Sequence, residues 1–155
     1  STSPPVGSTC SSQKVLSTTP TSDFEIQPDT STVLHKPTGL IWKRCVEGLT
    51  WDGTECTGSD EGYDWQEALA AADAQDGWRV PNVRELLSIV EYCTAFEASN
   101  SDIFPMSGVD SVWTSTPVYT ASIQAWQVDF FRGRPDKAGK FDNGVPVLLV
   151  KDAGL

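Results

Sequence analysis

Residue types that do covalent or acid–base chemistry are present in this chain, but their spacing fits no catalytic pattern. The one histidine, His35, sits in the turn-like segment HKPTG, and a Ser-His-Asp triad would have to use it. No serine stands in a G-x-S-x-G setting. Carboxylates pair everywhere in a chain with 21 Asp+Glu, so paired acids carry no signal. No catalytic residue and no cofactor is therefore expected. Asp52, Glu55, Asp60, Glu61 and Asp64 would be the donor set for a hard cation such as calcium, which takes roughly six to eight oxygens. Their spacing matches no EF-hand loop, and a solvated acidic loop without metal is the expectation.

The cysteines offer a different chemistry. Cys10, Cys45, Cys56 and Cys93 form no C-x-x-C pair, so zinc-ribbon spacing is absent. An even count in a chain rich in Ser, Thr and Trp points to disulfides and an oxidising compartment. Three pairings are open. Cys45 and Cys56 bracket the short polar loop VEGLTWDGTE, which a bridge would close, leaving Cys10 to pair with Cys93 across the body. The alternative is four buried free thiols.

Non-covalent recognition has its own candidates. Trp51 in the acidic loop and Tyr119 are aromatic contacts if exposed, whereas a local lid over the Cys45–Cys56 loop is the competing role for Trp51. Arg132, Arg134 and Lys137, with Lys140, make the one dense basic stretch, FFRGRPDKAGK. It would meet an acidic patch on a second copy or an anionic ligand, or serve as a solubilising loop.

Those residues need a scaffold. At 155 residues and 39% apolar content with six Trp, the chain suits one domain with a real core. Its net charge of −10 is the opposite of a nucleic-acid footprint. Anionic membrane surfaces are repelled overall, and no apolar run approaches the roughly 20 residues of a membrane helix. The chain opens at Ser1 without Met or an apolar leader, so any signal peptide is expected to have been removed already. Residues 1–22 read as an extended Ser/Thr/Pro-rich arm, and 23–155 as the single folded domain.

Within that domain, 24–27, 32–34 and 39–45 read as strands, and 46–63 as a loop with a tight turn at Asp52–Gly53. Asp64 with Glu67 announces a helix whose stripe is Trp65, Ala68, Leu69 and Ala72, ended by Gly77. Asn82 with Glu85 announces a second, striped by Val83, Leu86, Leu87 and Val90. Residues 94–111 read as loop anchored by IFPM. Strands follow at 112–115, 125–131 and 145–151, the last two separated by the turn RGRPDKAGKFDNG. The order is that of an α+β fold with an antiparallel sheet.

The ordered set TGLIWKRC, CVEGLTWDGTEC, DWQEALAAA, GWRVPNVRELLSIV, SVWTST and AWQVDFFRG resembles the Lcl C-terminal domain family, over about residues 24–150. That family takes its name from a bacterial collagen-like surface adhesin. The resemblance implies a C-type-lectin-like fold: two helices flanking a small twisted antiparallel sheet, paired terminal strands, and long loops on one side that often carry ligand. It places Trp42, Trp78, Trp113 and Trp126 on motif positions, expected in the core. His35 stands where the family often has an acid, and VPVLLVKD departs from the usual V-R-x-V-R ending, removing basic residues an anion-binding relative would use. Gln27-Pro28-Asp29 matches a sugar-specificity tripeptide of calcium-dependent lectins, but lies before the first helix rather than after the second, and is taken as coincidence. Formylglycine-generating relatives of the lectin-like fold use a reactive cysteine pair, whereas these cysteines look structural.

The functional expectation is a secreted, non-catalytic bacterial surface module. It would act in adhesion or as a self-assembling subunit of an extracellular appendage, forming a homo-oligomer or filament through the N-terminal arm. The alternative is a stand-alone domain that recognises a glycan or surface protein with its long loops.

Overall fold

The computed structural model describes residues 17–59, 61–92, 98–106 and 109–153. A 3-10 turn at Thr21–Asp23 leads into β1 (Phe24–Ile26), β2 (Thr32–His35), β3 (Leu40–Lys43), β4 (Leu49–Trp51) and β5 (Cys56–Gly58). There follow α1 (Trp65–Asp73), α2 (Val83–Leu87), β6 (Ser111–Pro117), β7 (Gln124–Asp129), β8 (Arg134–Gly139) and β9 (Val150–Asp152). These form three antiparallel sheets, ordered β1-β2-β3-β9, β4-β5 and β6-β7-β8. The fold is mixed α and β with few helices, as expected in class.

The first sheet closes the domain. Its final strand, β9, pairs with β3, setting Trp42 opposite Val150, so the terminal strands β1 and β9 lie at opposite edges and do not pair with each other as expected. The expected strand over 145–151 is shorter than predicted. Residues 145–149 instead run between the sheets, bridging Tyr63 through Val145 and burying Val147, Leu148 and Leu149 completely. Gly62 and Gly144 meet beside that bridge. A Cβ on Gly62 would lie 2.2 Å from the Gly144 Cα, so no larger residue fits without moving backbone.

Both helix starts are as their caps predict. Asp64 and Glu67, and Asn82 and Glu85, form complete capping boxes. The first helix holds its whole stripe, whereas the second stops short of Val90, the last residue of its stripe. The first ends at Asp73, with Gly77 (φ 82°) turning the chain afterwards, and the second at Leu87. Val90 is buried, but in a bridge to Ser99 rather than in the helix. Only five residues thus stand where a full second flanking helix was expected.

Two apolar clusters form the core. The larger joins Val33, Trp42, Leu86, Ile89, Phe104, Val112, Val128 and Leu148. Ile103, Phe104 and Met106 of the predicted IFPM anchor belong to it. The smaller gathers Trp65, Ala68, Val80, Trp113 and Leu149 under α1. Trp65 and Trp113 each spend their indole N–H on a carbonyl, of Thr114 at 2.9 Å and Tyr63 at 3.0 Å, which lets their bulk be buried.

Two stretches read as loop are strands. The acidic segment 46–63 contains the β4–β5 hairpin. The basic stretch contains β8, which pairs along all six residues with β7. It escaped the hydrophobic pattern because it is an edge: Arg134–Lys137 are exposed and Pro135 interrupts the run, features typical of sheet edges.

Candidate functional site

The sequence candidates fall in three separate places. Trp51 lies on the β4–β5 hairpin, next to the Cys45–Cys56 disulfide, whose Cα atoms are 5.7 Å apart. The expected Cys10–Cys93 bridge lies outside the described residues. Half-buried Trp51 stacks on Arg44, whose guanidinium carbon is 3.7 Å from the ring centroid. Arg44 is itself buried and bonds carbonyls only: Nε to Ile103 at 3.0 Å and the terminal nitrogens to Thr30 at 3.0 Å and Asp102 at 2.7 Å. Burial lowers its pKa, yet a guanidinium starts so high that it stays charged. Trp51 is thus a lid held by a buried cation.

Beside it opens a groove of about 360 Å3, lined by Asp29, Thr32, Lys43, Glu47, Trp51 and Trp78 among others. Its polar floor is internally matched. Lys43 bonds Glu47 Oε1 at 2.8 Å and Gln75 Oε1, and Gln75 returns a bond to Glu47 Oε2 at 2.8 Å. Trp78 was expected in the core. It is half-buried instead, with the Lys43 and Lys151 ammonium groups 5.2 and 4.8 Å from its ring. Asp29, of the lectin-like tripeptide, folds back on its own turn, accepting from Ser31 N, Thr32 N and Thr32 Oγ1. Burial opposes its ionisation, but the Thr32 and Ser31 bonds prevail and hold its pKa below the ordinary value.

Of the acidic candidates, Asp60 lies outside the described residues, and Asp52, Glu61 and Asp64 are engaged locally. Asp52 accepts from Thr54 and Glu55 in its turn, and Asp64 caps α1. Tyr63 donates to Glu61 at 2.9 Å. Burial, that bond and the field of Glu47 and Glu67 push its phenol up to about 12. Among the described residues, no three His, Cys, Asp or Glu side chains converge as a metal site would require. His35 is buried, with Nδ1 2.8 Å from Thr38 Oγ1 and its ring 4.8 Å from Phe24. Burial lowers its pKa against the opposing charge of Asp23.

The second place is one end of the β6–β8 sheet. Tyr119 projects from the β6–β7 loop and is 100% exposed. Ile123 in the same loop is 64% exposed. Phe141, held nearby by the Lys140 N–H bond to Ile123 O at 2.7 Å, is 81% exposed. Neither partner of Tyr119 was foreseen, because single apolar residues between polar ones leave no periodic trace.

The third place is the other end of that sheet, roughly 17 Å away along β8. There Arg132 bonds the buried carboxylate of Asp129 at 2.9 Å. Burial would raise the Asp129 pKa. The Arg132 bond and the backbone N–H groups of Arg132 and Phe131 outweigh it and hold the acid below its ordinary value. The basic stretch is therefore not one patch. Arg134 starts β8, Lys137 sits 5.3 Å from the Trp126 ring, and Lys140 lies 4.4 Å from the Trp65 ring. Trp126, also expected in the core, is half-buried beneath Lys137 because β8 is an edge.

Residues 31–151 match the profile of the Lcl C-terminal domain. The chain belongs to the Lcl C-terminal domain family. No curated protein matches it. Membership of the Lcl C-terminal domain family suggests a bacterial surface or adhesin-related module. No helix among the described residues is long and apolar enough to cross a membrane. Within the element WRVPNVREL, Arg79 and Glu85 make structural contacts. Arg79 forks onto both oxygens of Glu85, at 2.6 and 2.7 Å, and reaches Asp152 at 3.1 Å. It thereby ties the α2 cap to the last strand. Burial opposes ionisation of Glu85, but the Arg79 pairing and the Asn82 N–H win and lower its pKa.

The residue that sequence reading missed is Glu91. It is 1% exposed, and its carboxylate takes bonds from Ser17, Thr18 and Thr19, more than 70 positions away. No local pattern announces a contact of that span.

Proposed function

We propose that this chain is a secreted, non-catalytic bacterial surface module that makes contacts through the Tyr119 end of its three-stranded sheet. It acts in adhesion, or as a self-assembling subunit of an extracellular appendage. The exposure of Tyr119, Phe141 and Ile123 on one sheet end carries this reading. Large aromatic side chains without packing partners serve contacts with another molecule, where burial would gain what their exposure forgoes. The Cys45–Cys56 disulfide suits an oxidising compartment outside the cytosol. The buried, hydrogen-bonded state of His35 suits a structural role better than a catalytic one.

We assign the architecture to the C-type-lectin-like type. The two capped helices and the hairpin sheet with its projecting loop support that assignment. The groove beside Trp51 favours the second reading, a stand-alone domain that recognises a glycan or surface protein.

The test uses the non-reduced protein. Light scattering and negative-stain microscopy report self-association, and panels of glycans and extracellular proteins report other partners. Tyr119→Ser with Phe141→Ser is expected to lower at least tenfold whichever interaction the unaltered protein shows. An interaction unchanged in that variant and weakened instead by Lys43→Ala would move the site to the groove.

A further inference from the structure

We propose that the seat around Glu91 accepts the Ser17–Thr19 segment of a second copy of this chain as well as its own, so that copies join by exchanging arms. The inference rests on the self-assembling branch of the function above, but places the contact away from Tyr119.

The seat is built for this segment. The Glu91 carboxylate lies within hydrogen-bond distance of five donors: Ser17 Oγ at 2.6 Å, Thr18 N and Oγ1 at 3.0 Å, Thr19 N at 3.1 Å and Thr19 Oγ1 at 3.0 Å. Tyr92 N–H donates to Thr18 Oγ1 at 3.0 Å, and Asn100 Nδ2 to the Thr19 carbonyl at 2.9 Å. Thr19 is completely buried. Residues 17–19 belong to neither apolar cluster, whose earliest member is Phe24. Undocking them thus forfeits hydrogen bonds and leaves a carboxylate in a buried site without these donors, which is unfavourable unless they are replaced. An empty seat is the state to avoid. The same three residues of another copy fill it with the same bonds.

The connection permits the exchange. Pro20 is extended (φ −63°, ψ 148°) between the docked segment and the 3-10 turn. Its ring fixes φ, so a change in ψ at that residue redirects residues 17–19 relative to the body. Exchange of an identical element between copies is a low-cost route to association, since no new interface chemistry is needed. Charge favours it too. Residues 1–22 hold Lys14 and no acid, so the body carries all of the chain's negative excess. The arm is the stretch that a second acidic body does not repel. One arm and one seat per copy give a closed dimer if exchange is reciprocal, and an open run if it is not.

Two one-sided variants test this. Glu91→Ala removes the seat and keeps the arm. Ser17→Ala with Thr18→Ala and Thr19→Ala removes the side-chain donors and keeps the seat. The full chain and both variants are unfolded, refolded oxidatively at rising concentration and sized by light scattering. Exchange predicts dimers or longer species of the unaltered chain that grow with concentration and fall at least tenfold in each variant alone. They return as a one-to-one species when the variants are refolded together. If a variant does not refold, Glu91→Gln, which keeps the shape and removes the charge, is expected to lower the dimer share. A dimer share unchanged in Glu91→Gln then overturns the exchange. An unaltered chain that stays monomeric at every concentration overturns both the exchange and the self-assembling branch. Oligomers that persist in both one-sided variants, but vanish with Tyr119→Ser and Phe141→Ser, overturn the exchange and leave that branch standing.

Discussion

Trp51 and Tyr119 are aromatic residues set among polar neighbours in the sequence, and the fold treats them in opposite ways. Trp51 is stacked on a buried guanidinium at 3.7 Å and sits against a disulfide-closed hairpin. Tyr119 has no such support and is 100% exposed. An aromatic side chain that shields a buried charge belongs to the scaffold. One that shields nothing is available to a partner. The disulfide hairpin belongs to the scaffold, and the Tyr119 end of the β6–β8 sheet is the proposed contact flank.

The largest effect expected from breaking this contrast is at Arg44. Arg44→Ala would unstack Trp51 and leave the carbonyls of Thr30, Asp102 and Ile103 without their donor, costing about 4 kcal/mol in urea unfolding. A loss under 1 kcal/mol would show that the lid is not held by the cation. Next is the bridge. Replacing Cys45 and Cys56 with Ser frees a loop of sequence separation 11, worth about 3 kcal/mol by chain entropy, read as a lower unfolding midpoint. Ligand or self-binding through Tyr119 should survive that change at temperatures where the variant stays folded.

Acid sharpens the comparison from the other side. Asp129 and Glu85 both have folded-state pKa values below their unfolded ones, Asp129 through Arg132 and backbone N–H groups, Glu85 through Arg79. Their contributions are therefore complete above the ordinary carboxylate range and are lost as pH falls through the lower folded-state values. Unfolding followed from pH 7 downward should show stability falling below about pH 4, with a flatter slope in Asp129→Asn. An unchanged slope would mean that Asp129 does not contribute. The smallest effect is at the proposed contact flank. Tyr119→Ala should change stability by less than about 0.5 kcal/mol, because the side chain packs on nothing. A loss above 1 kcal/mol would make Tyr119 part of the scaffold and erase the distinction.

What could be read beforehand follows the range of the forces involved. Asp64, Glu67, Asn82 and Glu85 act within three residues, so both helix starts were legible. Cys45 and Cys56 bracket a short loop, so their pairing was too. The Arg44–Trp51 stack was not, because its meaning depends on carbonyls contributed by residues 30, 102 and 103. The Glu91 seat spans more than 70 residues and left no trace. The strand β8 was hidden by its charges and its proline, since an edge strand need not alternate. Trp78 and Trp126 were assigned to the core on motif position, yet both rings lie under lysines at the rim. A motif fixes which residue is kept, not how deeply it is buried.

That edge strand has a further consequence. Pro135 presents no N–H, and Arg134, Asp136 and Lys137 crowd the flank with charge. The outer rim of β8 is thus a poor template for cross-β stacking, so the protein should tolerate concentration without seeding amyloid from this side. On a crowded surface such protection would let copies stand close together without fusing their sheets.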